Sequence, residues 1–286
     1  PSPTGNPHLG TLIAAVASYL QARVNKGEWL LRIEDVDTTR RVAGAADAML
    51  RTLDKFGFEW DAEVIWQSKR SLVYAQALEQ LNAAELVFPC TCSRKLLAQT
   101  AIEQSGIYPG TCRAQKLPFP HEHAIRIRAP DISIGFDDAI FGEYQPSLAS
   151  ECGDFVIKRR DGLFAYQLAV VVDDAEQAIT EIVRGADLLD STPRQIYLQQ
   201  CLDYVQPDYL HLPLVLDHEG RKLSKSEAAA ELNPERPSKS IYAALKHLGQ
   251  QPPAELARAG IIDIWQWAVE NWNIRKIPTA DKVIQT

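Results

Sequence analysis

The sequence predicts an α/β protein built around a parallel sheet, with an irregular insertion and a small helical C-terminal part. Two observations predict it. Short apolar runs alternate with stretches of helical period, the pattern of strands joined by helices. Polar clusters follow Leu31, Val172 and Val183, at expected strand ends, and parallel sheets bind ligands at the carboxyl ends of their strands.

The 286 residues are enough for roughly two domains at about 150 residues each. Hydrophobic residues make up 46% and charged residues 23%, so a packed core is affordable and disordered, collagenous and coiled-coil classes are excluded. The net charge of −7 argues against a chain that coats nucleic acid with its whole surface, although one local basic face still suffices for an enzyme acting on it. The longest apolar run, Leu12 to Ala17, is six residues, against the roughly 20 that a membrane helix needs. Five cysteines, an odd number with three close together, favour a reducing compartment and a metal site over a disulfide framework. A cytoplasmic monomer with no membrane partner is expected. The chain starts at Pro1 without Met, inside a motif, so a preceding segment is expected too.

In chain order, Leu9, Leu12, Ile13, Val16 and Leu20 predict a helix over 10–25, stopped at Gly27. Trp29 to Asp35 reads as a buried strand running into polar residues. Helices are expected over 42–56, ending at Gly57, and over 71–85. Residues 89–123 form the irregular insertion. Ala124 to Arg128 alternates as a half-exposed strand does, and Asp154 to Arg159 is strand-like. Leu168 to Val172 is a short apolar run consistent with a central parallel strand. Glu181 to Gly185 is the next strand, Pro193 to Tyr204 a helix with proline in its first turn, and Leu212 to Leu216 a strand. From 227 onward the pattern is helical, with Trp265, Ala268, Val269 and Trp272 on one face.

Two loops carry the chemistry. Pro1-Ser2-Pro3-Thr4-Gly5-Asn6-Pro7 leads stiffly into His8-Leu9-Gly10-Thr11 at a helix start. Free N–H groups there attract phosphate, Gly10 permits close approach, and His8 and Thr11 add side-chain donors. Far downstream, Arg221-Lys222-Leu223-Ser224-Lys225-Ser226 offers two lysines that could hold the charge developing on a polyphosphate. Alone, each also reads as an ordinary capped helix or a solvated basic turn.

Together, and in this order, they resemble the His-x-Gly-x and Lys-x-Ser-Lys-Ser signatures of class I aminoacyl-tRNA synthetases. Arg32-Ile33-Glu34-Asp35-Val36-Asp37-Thr38-Thr39-Arg40, Val171-Val172-Asp173-Asp174 and Ile182-Val183-Arg184-Gly185-Ala186-Asp187 resemble the glutamate and glutamine branch. The resemblance implies a Rossmann-like catalytic core. His8, Gly10, Thr11, Lys222 and Lys225 would be catalytic, with His8, Gly10, Thr11 and Lys225 on ATP and its Mg2+. Pro1, Ser2, Glu34, Tyr166 and Arg184 would contact L-glutamate. The chemistry is sensible: Glu34 can hold an ammonium and Arg184 can clamp a carboxylate at two points. The family's substrate-contacting Arg falls before Pro1. Where full-length glutamyl enzymes often carry Asn, four residues after Tyr166, this chain has Val170. Only about 60 residues follow Ser226, too few for an anticodon reader. The helix from Leu12 to Arg23 and Asp161-Gly162-Leu163-Phe164-Ala165-Tyr166 resemble a short branch of the family that lacks one. That branch implies glutamyl adenylate formation without tRNA, then transfer to queuosine at the wobble position of tRNA(Asp). The alternatives are a truncated glutamyl-tRNA(Glu) synthetase, a non-catalytic tRNA-binding paralogue, and an unrelated nucleotidyltransferase.

Cys90-Thr91-Cys92 and Cys112 supply three thiols, and zinc prefers four tetrahedral ligands. Chemistry alone takes the fourth from His121 or His123; the family resemblance points to Tyr108. One structural zinc is expected. Residues 90–130 carry six Lys and Arg against two Glu, +4 on an acidic chain, which suggests contact with RNA phosphates. The expected domains are 1–88 (first half of the core), 89–150 (zinc-binding insertion), 151–226 (second half with the lysine loop) and 227–286 (helical region).

Overall fold

A computed structural model describes residues 2–3, 7–93, 96–97, 107–115, 117, 123–216, 232–280 and 282–283. Helix α1, Leu9–Val24, buries Leu12, Ile13, Val16, Ala17 and Leu20 on one face, close to the predicted stripe. Helix α2, Ala45–Lys55, ends before Gly57, whose φ of +73° suits a residue without a Cβ. Helix α3, Ser71–Ala83, follows. Among the described residues no helix is long and apolar enough to cross a membrane.

The predicted strand at Trp29 shrinks to β1, Arg32–Ile33, paired in parallel with β2, Ile65–Trp66. A three-stranded sheet joins β3 (Val87–Cys90), β4 (Ala124–Ile127) and β7 (Val156–Lys158) in antiparallel pairs. Both faces of β4 are covered, Ile125 and Ile127 by the main core and Arg126 by Tyr108 and Cys90, so all three are buried and the half-exposed reading is corrected.

The main sheet has the order β6-β5-β9-β8, from β5 (Phe136–Asp138), β6 (Gly142–Tyr144), β8 (Glu181–Gly185) and β9 (Asp208–Leu212). β5 and β8 run parallel to β9, while β6 is antiparallel to β5. Strand pairing therefore crosses residue 150, since β5 and β6 join the sheet of the downstream core. Short strands β10 (Val215–Leu216) and β11 (Lys282–Val283) also pair in parallel.

Leu168 to Val172 is not a strand. It lies in helix α4, Tyr166–Glu176, in which every residue from Leu168 to Asp174 is buried. A helix enclosed on all sides has no polar face, so its sequence loses the 3.6-residue period and mimics a buried strand. Helix α5, Thr192–Cys201, carries proline in its first turn as predicted and links β8 to β9. Helices α6 (Pro237–His247) and α7 (Ile261–Asn271) close the C-terminal part. Trp265 and Ala268 are buried there, whereas Val269 is exposed and Trp272 lies past the helix end. Ile264 takes the inner place instead. Trp265 packs on Tyr19 and Phe58, tying α7 to α1 in one apolar cluster.

Candidate active site and metal centre

A cleft of about 780 Å³ opens between the start of α1 and the ends of β1 and β8. It is lined by Ser2, His8, Gly10, Thr11, Glu34, Tyr166 and Arg184, so the expected phosphate and amino-acid residues share one cavity. Its size lies within the usual range of small-molecule sites. Pro1, Lys222, Lys225 and the rest of the lysine loop lie outside the described residues.

His8 is the N-cap of α1. Its Nδ1 accepts from the Thr11 N–H at 3.4 Å, and its Nε2 lies 3.4 Å from Thr11 Oγ1. Glycine at position 10 makes this possible. A Cβ there would stand 3.1 Å from His8 Cε1 and 3.2 Å from Nδ1, tighter than side chains normally pack. Sequence, cap and cleft geometry are thus joined in three residues.

Glu34 sits just past β1, with its Oε1 3.5 Å from Arg32 Nη2. Burial disfavours its charge, but the cationic groups around it, Arg32 and Arg184 among them, outweigh that and hold its pKa below the usual carboxylate range. Tyr166, the first residue of α4, is pushed up to about 12, chiefly by burial and also by Glu34. It therefore stays a neutral donor.

Arg184, on β8, is 8% exposed. Its Nε donates to His211 Nε2 at 3.0 Å, Nη1 to Gln195 Oε1 at 2.7 Å, and Nη2 to Thr192 Oγ1 at 2.8 Å and Leu188 O at 3.5 Å. Of its five N–H donors, one Nη1 hydrogen is left among the described residues. The expected two-point clamp gives way to a single offered contact. Among the described residues no carboxylate pairs with it. Its four neighbours are neutral acceptors, which solvate the charge without cancelling it.

Sequence reasoning missed several members of this site. Asp174 stands in the sequence as one residue of a motif, yet it lines the cleft and pairs with Arg32 at 2.7 Å. Thr192, Gln195, His211 and Asp138 were not singled out. They reach Arg184 only through the pairing of β5, β8 and β9 and the docking of α5, and no local pattern announces that.

A second cluster lies at the end of β3. The thiols of Cys90, Cys92 and Cys112 offer ligand atoms within 4.8 Å of one another. Tyr108 Oη is 3.5 Å from Cys90 Sγ and 3.6 Å from Cys92 Sγ, and it accepts the Cys112 N–H at 2.8 Å. Arg126 donates from Nε to Cys90 Sγ at 3.3 Å, and its guanidinium lies 3.9 Å from the centre of the Tyr108 ring. Burial opposes ionisation of Cys112, but hydrogen bonds from Tyr108 and Thr91 bring its pKa down to about 6. Three converging sulfurs, one already favouring thiolate, suit a zinc ion. His123 does not join the converging group, and His121 lies outside the described residues. Arg126 is also spent on Asp154 O, so it is a buried brace and not an RNA contact.

The fold and the shared cleft define an α/β enzyme core similar to solved glutamyl-tRNA synthetases. Superposed on glutamate-tRNA synthetase from Elizabethkingia anophelis, it gives a TM-score of 0.83 at 26% identity, covering 100% of this chain and 67% of that one. The family model for tRNA synthetases class I (E and Q), catalytic domain, matches residues 1–252, and the chain belongs to that family. It is accordingly a ligase. Among its relatives, the glutamyl-Q tRNA(Asp) synthetase of Aromatoleum aromaticum is 51% identical over 280 residues, 97% of this chain and 89% of that protein. The protein of the same name from Pseudomonas aeruginosa PAO1 is 51% identical over 278 residues, covering 93% of its length.

Proposed function

We propose that this protein activates L-glutamate with ATP and transfers the glutamyl group to queuosine at the wobble position of tRNA(Asp). The observation that carries the reading is the near full-length similarity to relatives bearing that name, at 51% identity. The cleft supports it by gathering Glu34, Tyr166 and Arg184 in one cavity with His8, Gly10 and Thr11.

In this reading the glutamate ammonium lies against Glu34, and a carboxylate meets the Tyr166 hydroxyl and the remaining Arg184 N–H. The α-carboxylate oxygen attacks the α-phosphorus of ATP. The bond to the β-phosphate oxygen breaks and pyrophosphate leaves; a Mg2+ ion bound with ATP would add charge neutralisation at these phosphates. His8 and Thr11, at the positive end of α1, hold the phosphates, and Lys222 and Lys225 neutralise the departing charge. A queuosine hydroxyl then attacks the glutamyl carbonyl and AMP leaves. Catalysis is positioning and electrostatics without a protein nucleophile. A zinc ion held by Cys90, Cys92, Cys112 and Tyr108 would pin the insertion.

The test is acylation of tRNA(Asp) with and without queuosine, beside tRNA(Glu). Glutamate incorporation that requires queuosine is the expected result. Charging of tRNA(Glu) instead would identify a glutamyl-tRNA(Glu) synthetase, and no glutamate-dependent ATP–pyrophosphate exchange would identify a binding protein. Lys225→Ala is expected to slow adenylate formation while the fold persists.

A further inference from the structure

Asp138 is 2% exposed and His211 is fully buried, and neither belongs to the cleft lining. Asp138 Oδ1 accepts the N–H groups of Ile140 and Phe141, each at 3.0 Å. Its Oδ2 accepts the His211 backbone N–H at 3.0 Å and lies 2.6 Å from His211 Nδ1. All of its backbone partners are donors. Burial works against its charge, but these donors and His211 outweigh that and lower its pKa, so it is a carboxylate. A carboxylate can only accept, so the hydrogen between Oδ2 and Nδ1 belongs to the imidazole.

That fixes the other ring nitrogen. Nε2 faces Arg184 Nε–H at 3.0 Å and Thr192 Oγ1 at 3.2 Å. The guanidinium can only donate, so Nε2 must present a lone pair. A second ring proton would point at the Arg184 N–H. The histidine is therefore neutral although it touches a carboxylate, with Nδ1 protonated and Nε2 accepting. Tyr209 lies beside the ring and nearly parallel to it, with centroids 6.1 Å apart.

We infer that Asp138 and His211 are positioning residues for substrate recognition: Asp138 sets the tautomer of His211, and His211 Nε2 holds the Nε edge of Arg184 so that one Nη1 hydrogen is aimed at a carboxylate of the amino-acid substrate. The inference rests on the reading of the cleft as a glutamate site. The Gln195 amide and Thr192 hydroxyl on α5 and the Leu188 carbonyl before it hold the Nη groups, so among the described residues the imidazole is the only hydrogen-bond partner of the Nε side. A neutral acceptor suits this place better than a carboxylate. A carboxylate would anchor the guanidinium equally well but neutralise the charge that the substrate needs.

The test compares His211→Asn, which can still donate to Asp138 but no longer reaches Arg184, with His211→Gln, which restores an acceptor near the Nε2 position. Glutamate-dependent ATP–pyrophosphate exchange is measured for each, after circular dichroism and melting establish folding. The expected result for His211→Asn is a KM for glutamate raised about tenfold or more, with KM for ATP and kcat within about threefold. His211→Gln should recover most of the loss. Equal changes in all three parameters, or no change in either variant, would overturn the inference. Nitrogen-15 NMR of histidine-labelled wild-type protein gives an independent readout that needs no variant. His211 should show a protonated Nδ1 and a bare Nε2 at neutral pH, and the opposite tautomer would overturn the inference. Wild-type protein with no glutamate-dependent exchange at all would instead overturn the functional reading beneath it.

Discussion

Arg32 Nη1 lies 2.7 Å from Asp174 Oδ1, and the same guanidinium reaches Glu34 Oε1 at 3.5 Å. One cation, 14% exposed, thus links the end of β1 to the end of α4 across the floor of the cleft. Removing it strands two carboxylates in a recessed, poorly solvated place. Arg32→Ala is expected to lower stability by about 3–5 kcal/mol, read from urea unfolding. Arg32→Lys keeps the charge but not the planar fork and should lose less. A melt unchanged by Arg32→Ala would mean that water screens these groups.

At the mouth of the cleft, Gly10→Ala tests the phosphate side. The added Cβ meets the His8 ring at 3.1 Å, so the ring must shift by a few tenths of an ångström from its capping place. Stability should change little, because the site is half-exposed. ATP–pyrophosphate exchange should fall by about ten- to a hundredfold, the scale on which a small misplacement of a reacting group acts.

The thiol cluster makes a prediction about composition. The purified protein should carry about one zinc per chain, measured by elemental analysis, and Cys112→Ser should carry none. Chelation should lower the melting temperature of the wild type but not of Cys112→Ser. Tyr108→Phe should weaken zinc retention if the phenol is the fourth ligand, and His121→Ala or His123→Ala should do so if it is not.

His211 also predicts a pH dependence of stability. Burial, helped by the Arg184 charge, lowers its pKa from the ordinary value of about 6.5, although Asp138 pulls the other way. The folded state therefore prefers the neutral ring, while the unfolded chain takes up a proton first. The stabilisation is complete above about pH 6.5 and is lost as pH falls through 6.5 towards the folded value, at no more than about 1.4 kcal/mol per pH unit. His211→Gln, which does not titrate, should lack this component when urea midpoints are compared between about pH 7.5 and 5.5.

The amphipathic helices are legible in the sequence, because each carries its own period. Leu12, Ile13, Val16 and Leu20 point inward on α1 because 3.6 residues make a turn. The thiols of Cys90, Cys92 and Cys112 are legible because their clustering in sequence is itself a ligand pattern, whereas His8, Gly10, Glu34 and Arg184 stand out through the resemblance of their motifs to a known family. Leu168 to Val172 is not legible, because full burial on every side erases the polar face that separates helix from strand. Asp138 and His211 are not either, since 73 residues separate them and only the pairing of β5 with β9 brings them together. Local order is written in short-range periodicity and so belongs to the sequence. Which neutral partners surround Arg184, and hence how much of its charge faces a guest, depends on contacts between distant strands, and only the folded chain makes that choice.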